Sequence, residues 1–162
     1  PGRIATPGDW NNPTKAKLWL YNLHYFDDLN AAGAERRSDW HRALIARWIE
    51  ENPPGSGNGW EPYPLSLRIV NWVKWALAGN ALDARALASL QHQAHALARG
   101  IEWHLLGNHL LANAKALIFA GLFFSGPAAE NFLAQGMAIY RDQLDEQVLD
   151  DGGHFELSPM YH

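Results

Sequence analysis

The chain has no cysteine. That excludes disulfides, thiolate nucleophiles and cysteine-held zinc, and leaves the compartment open. It also lacks a basic run: 13 Lys and Arg stand against 17 Asp and Glu, for a formal net charge of −4. Such a balance carries no electrostatic footprint for nucleic acid, although an acidic protein can still hold a locally positive cleft. Long hydrophobic runs are missing as well. The longest, Ala116 to Phe124, is too short to cross a bilayer, so no membrane insertion is expected. The amino end has no basic, apolar, small-residue signal pattern; a leader removed ahead of Pro1 is compatible with the sequence. Neither Gly-x-Ser-x-Gly nor His-Glu-x-x-His occurs, which argues against a serine hydrolase and a zinc protease.

Aromatics are plentiful, with eight Trp, five Tyr and six Phe in 162 residues. They suit a deep core, and also surfaces that stack on sugar rings. The length fits one domain. From Pro1 to about Asn12 the chain reads as irregular. Leu18 to Phe26 reads as a short buried strand or a tight helical turn, between which periodicity does not choose. Beyond that the pattern is helical. Ser38 caps a helix over Asp39 to Glu51, with Trp40, Leu44, Ile45 and Trp48 at three- and four-residue spacing. Pro64 opens a second helix to Ala78, and Asp83 caps a third to His104 with Gly100 inside it. Asn108 caps a fourth to Phe124, and the fifth runs from Ala128 to Leu149. The prediction is an all-α array of helical hairpins.

Polar clusters mark three places. Gly107-Asn108-His109 sets an amide and an imidazole at a helix start, where free N–H groups and the helix dipole favour an anion. It reads equally as a plain N-cap beside a packing histidine. Trp60, Tyr63 and Arg68 form a second concentration, in which Arg68 is either paired with an acid such as Glu61 or anchors substrate. The third is the closing stretch His154-Phe155-Glu156-Leu157-Ser158-Pro159-Met160-Tyr161-His162, entered through Asp150-Asp151-Gly152-Gly153. Pro and Gly make it a loop, and loops dense in ionisable groups commonly carry function. His92 and His95 have ligand-like spacing on what reads as a solvated face, so no metal and no cofactor are expected. Glu102, Asp150, Asp151 and Glu156 could supply a hydrolytic carboxylate pair, but no spacing selects one.

Three segments together resemble the heparinase II/III-like polysaccharide lyases: Leu18 to Phe26, Gly107 to Leu111, and Gly152 to His162. The resemblance implies part of an incomplete (α/α) toroid, with residues 1–37 as entry, 38–149 as helical hairpins and 150–162 as a site loop. It implies a β-sandwich domain and a remaining catalytic His beyond this sequence. By resemblance Asn108 and His109 hold a uronate carboxylate, and Tyr161 moves the proton in β-elimination. Trp60, Tyr63, Arg68, His154, Glu156 and His162 are then expected to contact substrate. The implied partner is an acidic polysaccharide such as a glycosaminoglycan or alginate-like chain. The implied setting is bacterial, periplasmic or secreted, with the cytoplasm left open. A non-catalytic carbohydrate-binding or scaffold domain and a toroidal glycoside hydrolase stand as alternatives.

Overall fold

Three- and four-residue apolar spacing, punctuated by Pro and Gly, becomes six α-helices in a computed structural model that describes residues 4–105 and 107–155. They are α1 (Lys17–Leu23), α2 (Ser38–Glu51), α3 (Pro62–Leu77), α4 (Ala84–Arg99), α5 (Gly107–Phe123) and α6 (Pro127–Gln147). Short 3₁₀ turns at Pro7–Asn11, Asp27–Asn30, Ala34–Arg37 and Asn58–Trp60 fill the approaches. Among the described residues there is no strand, only an isolated bridge between Val148 and His154. The fold is all-α.

Local chemistry sets the helix limits. The Asp83 carboxylate accepts from the Ala86 amide at 2.7 Å and opens α4 as expected. Pro62 and Pro127 sit at the first turns of α3 and α6, where a missing N–H costs nothing. Several boundaries move. Of the stretch Leu18 to Phe26, the residues to Leu23 are helical in α1, with Leu20 buried and Leu18 exposed, and the chain then turns through His24 and Tyr25. Ser38 does not cap α2; the 3₁₀ turn before it runs straight on, and its hydroxyl donates to the Glu35 carbonyl at 3.0 Å. The third expected helix stops at Arg99, because Gly100 ends it instead of lying within it. Asn108 lies inside the first turn of α5, not ahead of it.

Four tryptophans, Trp10, Trp48, Trp72 and Trp75, are buried, whereas Trp40 and Trp103 are exposed. Phe26, Trp48 and Trp72 meet edge to face, with centroids 5.5 to 6.3 Å apart. Around them Leu65, Ile69, Leu90 and Leu97 close one continuous core with Leu110 and Leu117 of α5.

α5 packs against α3, α4 and most extensively α6. The α5–α6 approach is close enough to touch backbone. A Cβ on Gly121 would stand 2.6 Å from the Leu133 amide nitrogen and 2.8 Å from the Ala129 carbonyl oxygen. Gly121→Ala is therefore expected to destabilise by about 1–3 kcal/mol through overpacking, outweighing the roughly 1 kcal/mol alanine gains in a helix interior. Calorimetry reads the result as a lower Tm; an unchanged Tm would mean that the helices part at no cost.

Candidate functional site

The α5–α6 pair and α3 leave between them and α1 a cleft of about 1100 Å³. One face of α5 supplies Asn108, Leu111, Ala112, Lys115, Ile118 and Phe119, residues three and four apart. α6 adds Met137, Tyr140 and Leu144, and α3 adds Tyr63 and Leu67. Leu18 and Tyr21 of α1, and Tyr25 just beyond it, complete the lining. Every tyrosine among the described residues therefore borders this cleft. An apolar, aromatic wall with few polar groups is the usual make-up of a ligand site.

Asn108 and His109 stand half-buried in the opening turn of α5, the part of a helix that favours negative charge. The His109 ring lies 4.5 Å from that of Tyr63, centroid to centroid. Its Nδ1 is 3.2 Å from Oε1 of the buried Glu102, an ion-pair approach without hydrogen-bond alignment. Glu102 is held from behind: its Oε2 accepts from the Asn113 amide at 3.0 Å, and its own backbone N–H donates to Asn113 Oδ1. Asn113 also donates to Ser66 Oγ of α3 at 3.0 Å. The fixed carboxylate lies beneath the His109 ring, and Lys115 brings a cation to the same cleft.

The phenols are acidic only far above neutrality. Burial, then the Glu61 carboxylate that accepts from its hydroxyl, pushes Tyr21 up to about 12. Burial pushes Tyr25 up as well, with Tyr63 adding to it. Both are thus hydrogen-bond donors, not bases, near pH 7. Glu61 is also paired with Lys17 at 2.8 Å.

Of the residues singled out by sequence, Asn108, His109 and Tyr63 come together on this cleft. Trp60 does not. It packs half-buried on Trp48, with centroids 6.0 Å apart, and its N–H donates to the Asn52 carbonyl at 3.1 Å. Arg68 is corrected from substrate contact to core residue: it is fully buried. Its guanidinium donates to Gln93 Oε1 (2.9 Å), the His24 carbonyl (3.2 Å) and the Gly59 carbonyl (2.7 Å), and stacks 3.8 Å from the Trp48 ring centre. Glu61 is not its partner. His154 is buried away from the cleft lining and meets Gln147 Oε1 at 3.0 Å. Glu156, Tyr161 and His162 lie outside the described residues.

Among the described residues no three His, Asp or Glu side chains gather as a metal site. His92 bonds the Ala88 carbonyl, and His95 meets Phe132 edge to face with centroids 4.8 Å apart. No helix there is long and apolar enough to cross a membrane. Tyr21, Tyr25, Lys115 and Tyr140 are cleft residues that the sequence reading missed. For Lys115 the signal was spacing, since 108, 111, 112, 115, 118 and 119 trace one helical face.

Comparison with known proteins adds a family. The model described as heparinase II/III N-terminus matches residues 9–162. A heparin-sulfate lyase of Bacteroides stercoris is 44% identical over 57 residues, 35% of this chain and 9% of that protein. A heparin-sulfate lyase of Pedobacter heparinus is 29% identical over 144 residues, 82% of this chain and 22% of that protein. FtsZ-localized protein C of Caulobacter vibrioides is 28% identical over 170 aligned positions, 97% of this chain and 28% of that protein. The chain thus spans only about a tenth to a quarter of the length of these relatives. No solved structure matches it.

Proposed function

This chain belongs to the heparinase II/III N-terminal family, and from that membership we propose that the full-length protein is a polysaccharide lyase. Its substrate is a uronate-containing glycan, and these helices form part of an (α/α) toroid. The observation that carries the reading is the placement of Asn108 and His109 at the start of α5, on a cleft walled by tyrosines.

The chemistry needs such groups. In β-elimination the C5–H bond and the C4–O4 bond break, a C4–C5 double bond forms, and O4 leaves with a proton. An ionised carboxylate at C5 resists losing that proton, because the electron pair left behind must spread into a group already negative. Asn108 and His109 donating to the carboxylate lower this barrier; each donor is worth about 2.7–4 kcal/mol by comparison with oxyanion sites. Tyr161 protonates the departing O4 or takes the C5 proton. Tyr63 and the apolar wall receive the sugar faces. His154, Glu156 and His162 are read as surrounding contacts, with no step of their own.

The test is incubation of the full-length protein with heparan-like, alginate-like and capsule-type uronates, following absorbance of the unsaturated product. Unsaturated ends are expected. Reducing ends without unsaturation would point to a hydrolase. Undiminished turnover in Tyr161→Phe would sink the role of Tyr161. A second reading, a non-catalytic scaffold, is favoured by one relative whose name states a localisation and no reaction. Glycan binding with no product from any polymer would support it.

A further inference from the structure

Behind the cleft runs a hydrogen-bond chain whose direction is fixed at every link. Gln147, the last residue of α6, is fully buried. Its Nε2 donates to the Gly107 carbonyl at 2.9 Å and to Gln143 Oε1 at 2.5 Å. Both neighbours are acceptors there, so the amide cannot be turned round. Its Oε1 then faces His154 Nε2 at 3.0 Å, and an amide oxygen only accepts. His154 must carry its proton on Nε2. The Gln147 carbonyl also accepts from the Phe155 amide at 2.8 Å, and Val148 bridges His154. One side chain thus joins the segment entering the closing loop to the first residue of α5.

The joint acts on the site through peptide planarity. Gly107, the first residue of α5, has a φ of +56°, a left-handed conformation that favours glycine. The Gly107 C=O and the Asn108 N–H belong to one rigid plane and point oppositely. Holding the carbonyl on Gln147 therefore fixes where the Asn108 amide points and where the first turn carrying Asn108 and His109 begins. We infer that Gln147 is a positioning residue of the proposed site, locking the Asn108–His109 turn to the His154 segment that leads on to Tyr161. This rests on the lyase reading above.

The experiment uses the full-length protein with Gln147→Glu and Gln147→Leu, and Gln143→Leu as comparison. Gln147→Glu keeps the acceptor for His154 but turns an oxygen on the Gly107 carbonyl. The expected result is a fall in kcat of about 100-fold, the scale of a 1 Å misplacement, with KM little changed in both Gln147 variants. Gln143→Leu, which leaves the Gly107 and His154 links in place, is expected to keep kcat. Amide exchange at Asn108 and His109 should quicken in the Gln147 variants. Wild-type kcat with only a lowered Tm would overturn the inference, since that is a structural role alone. So would a wild-type His154 whose ring-nitrogen NMR shifts show the proton on Nδ1, a readout that needs no variant to fold. Should the wild type cleave no uronate polymer, the lyase reading fails by itself; unchanged exchange at Asn108 and His109 would then overturn the lock independently.

Discussion

Asn108→Ala in the full-length protein is expected to lower kcat on a uronate polymer by about 10²–10³-fold, with a much smaller change in KM. The split follows from when the donor acts. In the ground state the carboxylate is already ionised and solvated, and one amide adds little to binding. As C5–H breaks, charge builds on the carboxylate oxygens, and a donor held at the start of α5 meets it without reorganising. Asn108→Asp sharpens the test, because it sets a carboxylate against a carboxylate. Its loss should equal or exceed that of alanine and should ease as pH falls toward the usual carboxylate range. Stopped assays of unsaturated product, at saturating and limiting polymer, measure both constants. A kcat within about tenfold of wild type in Asn108→Ala would remove Asn108 from the chemistry.

Much of the scaffold around that turn was legible in the sequence, and the reasons are local. Asp83 could be read as a cap because one carboxylate and one amide three residues on decide it. Pro and Gly marked the breaks because their effects need no tertiary partner. Ser38 misled because the residues before it already turn as a 3₁₀ helix, so it has helical angles itself and its hydroxyl turns back to the Glu35 carbonyl. The site was less legible, and for a different reason. Asn108, His109 and Tyr63 announce themselves by type, but Tyr21 and Tyr25 on one side and Tyr140 on the other come from distant stretches and share a cleft only through packing. Arg68 was misread as a ligand contact for the complementary reason. Type and spacing say that a buried arginine needs partners, yet two of the three it found are backbone carbonyls, which no sequence pattern displays.

Arg68→Met is accordingly expected to cost several kcal/mol of folding stability, at about 1–3 kcal/mol for each buried acceptor left without a donor. Methionine matches the stem but strands the His24 and Gly59 carbonyls and Gln93 Oε1, and removes the cation over Trp48. Arg68→Lys should recover only part, since one ammonium cannot reproduce the fork. Denaturant melts at pH 7 measure this as a lower midpoint; a midpoint within error of wild type would show the carbonyls finding other donors. The pH dependence adds a second, signed check through His24. Its Nδ1 accepts from Trp48 Nε1 at 2.9 Å and its Nε2–H meets the Trp10 carbonyl, so a second proton would set two donors face to face. Burial first, and the Arg68 cation second, hold its pKa down at about 3 against an ordinary 6.5. A depressed folded value means that the stability from neutral His24 is complete above about pH 6.5. It is lost as pH falls toward about 3. Removing Arg68 lifts the folded pKa, so the variant loses less on acidification than the wild type does. The stability gap between them should therefore narrow from pH 7 to pH 4. A gap that stays constant or widens would mean that Arg68 holds this core by packing alone, with its charge silent at His24.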